Sequence, residues 1–257
     1  MKIIKRDLDT EINKLTIIPI SDVHIGDKTA DLKAFKEVLE RIKNEPNTYT
    51  ILNGDLCNMA LKNSKSDVYS EELSPMEQIA RVITFLEPIK DKILVMSSGN
   101  HEERTERETG IDITYLVAKQ LGIERVYSKS WWYLYLSFGE SEKHRPMLYT
   151  ITGYHGSGGG GRKSGGKINR LEEMSNVVIA DLYLMGHTHK PITTKGVIFT
   201  PDYQHKSIVK RDLYYLMSNS FLEYEGGYGE RMGLMPSNTT ITEAELDGHK
   251  KKIKLIL

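Results

Sequence analysis

A single cysteine, Cys57, stands in 257 residues. No disulfide can close within the chain, so a packed core must hold the fold, and a reducing compartment suits it. An excess of charge of one sign is missing as well. Lys plus Arg and Asp plus Glu are equal at 35 each, for a formal net charge of zero. That excludes a global field able to draw in duplex nucleic acid or an anionic membrane surface, though not a local basic groove. Long apolar runs are also absent, and none approaches the roughly 20 residues a spanning helix needs. The opening Met1-Lys-Ile-Ile-Lys-Arg-Asp-Leu-Asp9 has no apolar segment of the kind that begins a secretory signal. A cytoplasmic protein without a membrane partner is the expectation. Its 39% hydrophobic and 27% charged residues suffice for one sizeable core, read as a single domain over 1–257.

Along the chain, Lys2–Ile4 and Leu15–Ile20 read as strands, the second apolar almost throughout, as buried parallel strands are. From Asp31 a helical stripe follows through Leu32, Phe35, Val38, Leu39 and Ile42. Tyr49–Leu52 is a strand, 57–73 are polar and irregular, and Ser74-Pro75-Met76-Glu77 is a capping box opening a helix. Ile93–Met96 is another buried strand, and a helix near Ile113–Leu121 stops at Gly122. This alternation predicts a parallel sheet covered by helices. Trp131–Phe138 and Met147–Thr152 read as antiparallel neighbours, and Ile168–Ile179 as a helix. Leu182–Met185, Ile192–Thr200 and Leu213–Met217 read as strands, with a closing hairpin about Asp247-Gly248.

Five of these strands run into metal-binding residue types. Ile17–Ile20 leads to Asp22 and His24, and Tyr49–Leu52 to Asp55. Ile93–Met96 leads to Asn100 and His101, Leu148–Thr152 to His155, and Leu182–Met185 to His187 and His189. Functional groups of open α/β sheets collect at the carboxyl edge of the strands. Eight such groups gathered on one rim without a cation would repel or go unpaired. Carboxylate, imidazole and amide oxygen without thiolate suit Mn, Fe, Zn or Ni. Cys57 reads as a small buried apolar residue rather than a ligand. Glycine precedes Asp55, Asn100 and His187, where a tight turn or a close approach is expected.

Asp22-x-His24, Gly54-Asp55, Gly99-Asn100-His101-Glu102, His155 and Gly186-His187-x-His189, in this order, resemble the motifs of calcineurin-like metallophosphoesterases. In finer detail the chain looks like the bacterial and phage branch labelled phosphodiesterases or DNA-repair exonucleases. The resemblance implies a four-layer α/β/β/α sandwich with two divalent metal ions at its edge, manganese being the expected ion. It implies that Asp22, His24 and His189 hold the first ion, that Asn100, His155 and His187 hold the second, and that Asp55 bridges them. His101 is implied as the group that protonates the leaving oxygen, the bland alternative being a residue packed in a turn. Many relatives have a second Asp three residues after Gly-Asp, which orients that histidine; here the position is Asn58, which can orient it but cannot charge it.

The glycine-rich stretch Gly156–Lys167 follows His155 directly. Its amides, with Arg162, Lys163 and Lys167, either cradle an anion or form a surface loop. Arg104 and Arg107 either hold a second phosphate or are solvated. One of Trp131 and Trp132 should be buried, leaving the other to stack on a base or to pack. The resemblance implies a phosphoester substrate, and three readings stand. The first is a phosphodiesterase or nuclease acting on nucleic acid or nucleotides. The second is a monoesterase acting on a small molecule or phosphoprotein. The third is a scaffold that binds metal without catalysis.

Overall fold

The computed structural model describes residues 1–62, 68–158, 163–236 and 240–257. Lys2–Asp7 forms β1, and Lys14–Ile20 forms β2, buried from Leu15 to Ile20 as its apolar run requires. Asp31 accepts the Ala34 N–H to cap α1 (Leu32–Asn44), whose buried stripe is Phe35, Val38, Leu39 and Ile42. Thr48–Asn53 is β3, and the Ser74–Glu77 capping box opens α2 (Pro75–Leu86). Ile93–Ser97 is β4, and two helices follow, α3 (Asn100–Thr109) and α4 (Ile113–Gln120). Tyr127–Ser128 is β5, Trp132–Phe138 is β6 and Met147–Tyr154 is β7. Then come α5 (Ser164–Glu172), β8 (Leu182–Met185), β9 (Ile192–Asp202) and β10 (Ser207–Met217). The hairpin of β11 (Glu243–Asp247) and β12 (Ile253–Ile256) closes the chain.

Two six-stranded sheets result, ordered β12-β11-β2-β3-β4-β5 and β1-β6-β7-β8-β10-β9. In the first, β2 to β5 pair in parallel, as the alternation of strand and helix predicts. In the second, β6 and β7 are antiparallel while β7, β8 and β10 run in parallel. The sheets face each other across one apolar cluster that takes in Ile17, Ile51, Val95, Trp132, Leu134, Ile151 and Leu184. A smaller cluster around Tyr183, Tyr215 and Leu171 seats α5 on the outer face of the second sheet. Each fully buried aliphatic side chain contributes about 1.5–3 kcal/mol to this packing.

Several expectations need correction. The helix placed at Ile168–Ile179 instead starts at Ser164 and ends at Glu172, with a 3₁₀ turn over Glu173–Asn176. Its amino-terminal turn thus takes up part of the glycine-rich stretch. The segment expected to be polar and irregular begins buried, from Cys57 to Ala60. Helix α3 has no apolar stripe, its buried residues being Glu102 and Thr105, and so gives no periodic signal.

Candidate metal centre

Strands β2, β3, β4, β7 and β8 end at one rim, and the chain then bends sharply. Asp22, His24, Asp55, His187 and His189 have φ of 54°, 52°, 52°, 66° and 51°. Left-handed backbone costs an L-residue about 1–2 kcal/mol. Five instances among the residues singled out from the sequence mark a functional site rather than an ordinary set of loops. The expected close approach at glycine is also present. A Cβ on Gly54 would lie 2.5 Å from the Gly99 Cα and 2.8 Å from His155 Nδ1.

The buried Glu102 carboxylate joins the loops that follow β3 and β4. It accepts the N–H of Asp55 (3.0 Å), Cys57 (3.0 Å) and Gly99 (2.9 Å). Burial, followed by the Asp55 charge, pushes its pKa up to about 7. The sequence reading gives Glu102 no task, although its spacing from Gly99 is that of a capping box.

Asp22 is fully buried. Its Oδ2 accepts from the Ser21 hydroxyl and from the His187 N–H (2.9 Å). Its Oδ1 has no hydrogen-bond partner, although His189 Nε2 lies 3.1 Å away, His155 Nε2 3.8 Å and His24 Nε2 4.0 Å. His24 Nε2 and His189 Nε2 are 3.4 Å apart. The tautomer of His24 follows from its far side. Asn58 Nδ2 donates to Glu71, so Asn58 Oδ1 accepts, at 3.2 Å, the proton on His24 Nδ1. His24 Nε2 is therefore a lone pair turned toward the aspartates.

Asp55 Oδ1 accepts the His101 N–H at 2.9 Å, and its Oδ2 lies 3.0 Å from His155 Nε2 and 3.9 Å from His101 Nε2. His155 Nδ1 donates to the Asn53 carbonyl (2.8 Å), while its Nε2 faces both Asp55 Oδ2 and, at 3.1 Å, Asn100 Oδ1. A neutral ring in that tautomer would set a lone pair against two oxygens, so a positive charge belongs at this point. Burial works against a charged imidazole here, but Asp55 and Asp22 outweigh it and raise His155 to about 10. His187 Nε2 donates to the Gly158 carbonyl at 3.1 Å, leaving its other ring nitrogen as an acceptor.

Three sets of potential ligand atoms lie within 4.8 Å of one another: Asp22, His24 and His189; His24, Asp55 and His101; and Asp55, His155 and His187. The unpartnered Asp22 Oδ1 and the opposed lone pairs around His155 are the features a divalent cation would satisfy, and the hard and borderline donors fit it. Electrostatics agree. Burial would raise both aspartates, but His189 and His155 hold Asp22, and His155 and His101 hold Asp55, below the ordinary carboxylate range. Burial, then repulsion from His101, pushes His24 down to about 3.

Asn58 and His101 are related differently from the expectation. The Asn58 side chain serves His24, and it is the Asn58 carbonyl that takes the His101 Nδ1 proton. Burial lowers the His101 pKa in spite of Asp55. Two of the cations expected to meet substrate, Arg104 and Lys167, are engaged with backbone carbonyls. Arg104 Nη2 donates to the carbonyls of Met59 (2.9 Å) and Asn58 (3.3 Å), and Lys167 Nζ to that of Thr188 (2.9 Å). Lys163 is exposed at the start of α5, Arg107 is exposed beside Glu103, and Arg162 lies outside the described residues. Trp132 is the buried tryptophan, while Trp131 stacks on Tyr154 at 4.6 Å and donates to Thr152. Cys57 is buried, and burial raises its thiol well above its ordinary value.

Among solved structures, the chain is similar to a predicted phosphoesterase of Streptococcus pneumoniae TIGR4, with 15% identity, 95% of this chain and 90% of that chain covered, and a TM-score of 0.38. It is also similar to a metallophosphoesterase from Sphaerobacter thermophilus, with 13% identity, 91% and 84% covered, and a TM-score of 0.39. A third is GAP50 of Plasmodium, with 14% identity, 95% and 84% covered, and a TM-score of 0.45. No curated protein matches by sequence. No described helix is long and apolar enough to cross a membrane. The family profile of calcineurin-like phosphoesterases matches residues 15–191, more than half of the chain and the whole run from Asp22 to His189. The chain therefore belongs to the calcineurin-like phosphoesterase family, and metal-dependent hydrolysis of phosphoesters is the activity that goes with it.

Proposed function

We propose that the protein is a phosphodiesterase that uses two divalent ions, manganese in the first place, on a nucleotide or nucleic-acid substrate. The observation that carries this reading is the sharing of Asp55 between two sets of ligand atoms, with Asp22 and His189 completing a third set alongside. In the proposed assignment Asp22, His24 and His189 hold one ion. Asn100, His155 and His187 hold the other, with Asp55 common to both. Two such ions, when bound, supply Lewis acidity and a water of lowered pKa.

The protein's own groups then have separate tasks. Glu102, Asn58 and the Asn53 carbonyl fix the ligands in place, so that little reorganisation is needed when substrate arrives. His101 keeps its Nδ1 proton on the Asn58 carbonyl and presents Nε2 to the site. We assign it the transfer of a proton from Nε2 to the leaving oxygen. Its lowered pKa makes the charged ring a stronger acid, though a less populated one at neutral pH.

The choice of diester over monoester rests on the side-chain cations. A monoester is close to a dianion at neutral pH and gains from cationic side chains beside the metals, whereas a diester carries one charge. Arg104 and Lys167 are bound to backbone carbonyls. Positive charge for the substrate then comes mainly from the ions, which suits the monoanion. Zero net charge suits a nucleotide or short single strand better than a duplex. The test is hydrolysis of bis-p-nitrophenyl phosphate and p-nitrophenyl phosphate by the manganese-loaded protein. A higher kcat/KM for the diester is expected. A preference for the monoester would overturn the substrate class, and turnover of neither with metal bound would overturn the enzyme.

A further inference from the structure

The opposite end of the second sheet holds a concentration of charge that the metal centre does not use. Thr150 lies in β7 and Asp181 just ahead of β8, while His155 and His187 follow the far ends of the same strands. Five residues of extended chain between Thr150 and His155 put the two regions about 16 Å apart. A cavity of about 500 Å³ opens there, lined in part by Asp181, Lys210, Arg211, Asp212 and Lys251. Lys251 comes from the basic run His249–Lys252 of the closing hairpin, which no other part of the site explains.

The charges do not cancel. Asp181 is buried, and it accepts from the Thr150 N–H (2.7 Å) and hydroxyl (2.9 Å), from Arg211 Nη2 (2.9 Å) and from Lys251 Nζ (2.6 Å). One carboxylate between two cations leaves one positive charge over. Asp212 is matched by Lys195 at 2.8 Å, outside the cavity lining. Lys210 adds a second positive charge with no ion pair among the described residues. Arg211 uses one nitrogen of its fork on Asp181, and the rest of the guanidinium remains for a ligand. Lys251 is held 4.5 Å over the Tyr149 ring, whose hydroxyl lies 2.7 Å from the Asp247 carbonyl and accepts the Lys252 N–H at 3.1 Å, so the ammonium sits on a fixed platform. Burial, and less strongly repulsion from Arg211, lowers the Lys251 pKa despite Asp181.

We propose that this cavity is a second anion site, distinct from the metal centre, that takes a phosphate group. Two unmatched positive charges and a free guanidinium edge fit a phosphate dianion better than a carboxylate. The volume exceeds what inorganic phosphate fills, so the phosphate is either free or carried by a small molecule such as a nucleotide. The site shares no residue with the metal centre, so the proposal stands whichever phosphoester the enzyme cleaves.

The test is calorimetric titration of the full-length, metal-depleted protein with inorganic phosphate and, separately, with adenosine 5′-monophosphate. Saturable binding of one equivalent is expected. Lys210→Glu weakens it by about tenfold or more, the change that corresponds to 1.4 kcal/mol, and leaves manganese-dependent turnover of bis-p-nitrophenyl phosphate unchanged. Asp181→Asn acts in the opposite direction, because it frees Arg211 and Lys251 for the ligand. Should that variant fail to fold, Lys251→Met serves in its place and weakens binding while Arg211 still neutralises Asp181. Tighter binding of the nucleotide identifies a nucleotide as the occupant, and equal binding identifies phosphate itself. No binding to the metal-depleted protein, or binding that these substitutions leave unchanged, overturns the proposal.

Discussion

Replacing Asn58 by leucine removes its amide at nearly constant volume and tests whether the hydrogen bonds behind His24 prepare it to receive a metal ion. Asn58 is 2% exposed, so water does not readily replace what is removed. His24 Nδ1 loses the acceptor that fixes its tautomer, and Glu71 Oε1 loses the donor from Asn58 Nδ2. A buried group left without its partner costs about 1–3 kcal/mol. For buried His24 that is about 1–3 kcal/mol of folding stability, and half-buried Glu71, which water can reach, adds less. Glu71 also keeps its bond to Gln78 and can take up a proton, its pKa being already raised by burial. Freed from Asn58, His24 can flip or change tautomer and withdraw its Nε2 lone pair. Loss of such an outer partner of a metal-binding histidine lowers metal affinity about 10- to 100-fold. Urea denaturation of the metal-free protein and calorimetric titration with manganese measure the two effects separately. Leucine is expected to lower both stability and affinity. Asn58→Asp keeps an acceptor for His24 but adds charge beside Glu71 and Asp27, and should cost stability more than affinity. If the leucine variant binds manganese as tightly as the parent chain, His24 is not held through Asn58 and the reasoning fails.

Asp55→Ala should abolish binding of both ions together with activity, as metal content and turnover measured on the same sample will show; a variant that keeps one full equivalent of metal refutes the bridging role. His101→Ala should lower kcat about 10²-fold or more on a diester with a poor leaving group, and far less on a p-nitrophenyl ester, whose leaving group needs no proton. Equal losses on the two substrates count against proton donation. Glu102→Gln places an amide NH2 among three backbone donors and should destabilise the protein by about 1–3 kcal/mol for each N–H left without an acceptor; an unchanged urea midpoint would show that the β3 and β4 loops hold themselves. For Asp181, burial favours the neutral form, but Lys251, Thr150 and Arg211 outweigh it and leave the folded pKa depressed. Its contribution to stability is thus complete above the ordinary aspartate value of about 3.9 and is lost as pH falls through the lower folded value. Asp181→Asn should flatten the acid limb of the stability profile, measured as urea midpoint against pH, and an unchanged limb would mean that the carboxylate is not ionised in the fold.

Residues whose role is set by strand ends were legible, and residues whose role is set by what lies behind them were not. Ile17–Ile20, Tyr49–Leu52 and Leu182–Met185 announce buried strands by their apolar runs; Asp22 and Asp55 follow parallel neighbours of the first sheet, His187 follows β8 of the second, and the facing of the two sheets brings the three together. Asn58 gives no such signal. Its motif position places it near His101, yet which ring its side chain meets depends on Glu71 and Gln78, which approach from outside the motif and draw the amide nitrogen away. Helix α3 shows in the sequence only as a helix start around Arg104 and Arg107, without bounds, for a related reason. Its first turn is stabilised by Glu102 and a capping geometry rather than by an apolar face, and periodicity cannot register a helix whose buried residues are Glu and Thr. The basic residues misled in the opposite sense. Charge beside a histidine motif suggests a phosphate contact, but an arginine or lysine near strand ends also finds exposed carbonyls at every sharp bend. The left-handed residues that bring the ligands together create such bends. Arg104 donates to the carbonyl of Met59, itself at φ of 46°, and Lys167 to that of Thr188, between His187 and His189, so both meet carbonyls at such bends. The sharp bends at these left-handed residues therefore offer carbonyls to nearby cations as well as placing the candidate metal donors, so a basic residue beside such a bend is not by itself a substrate contact.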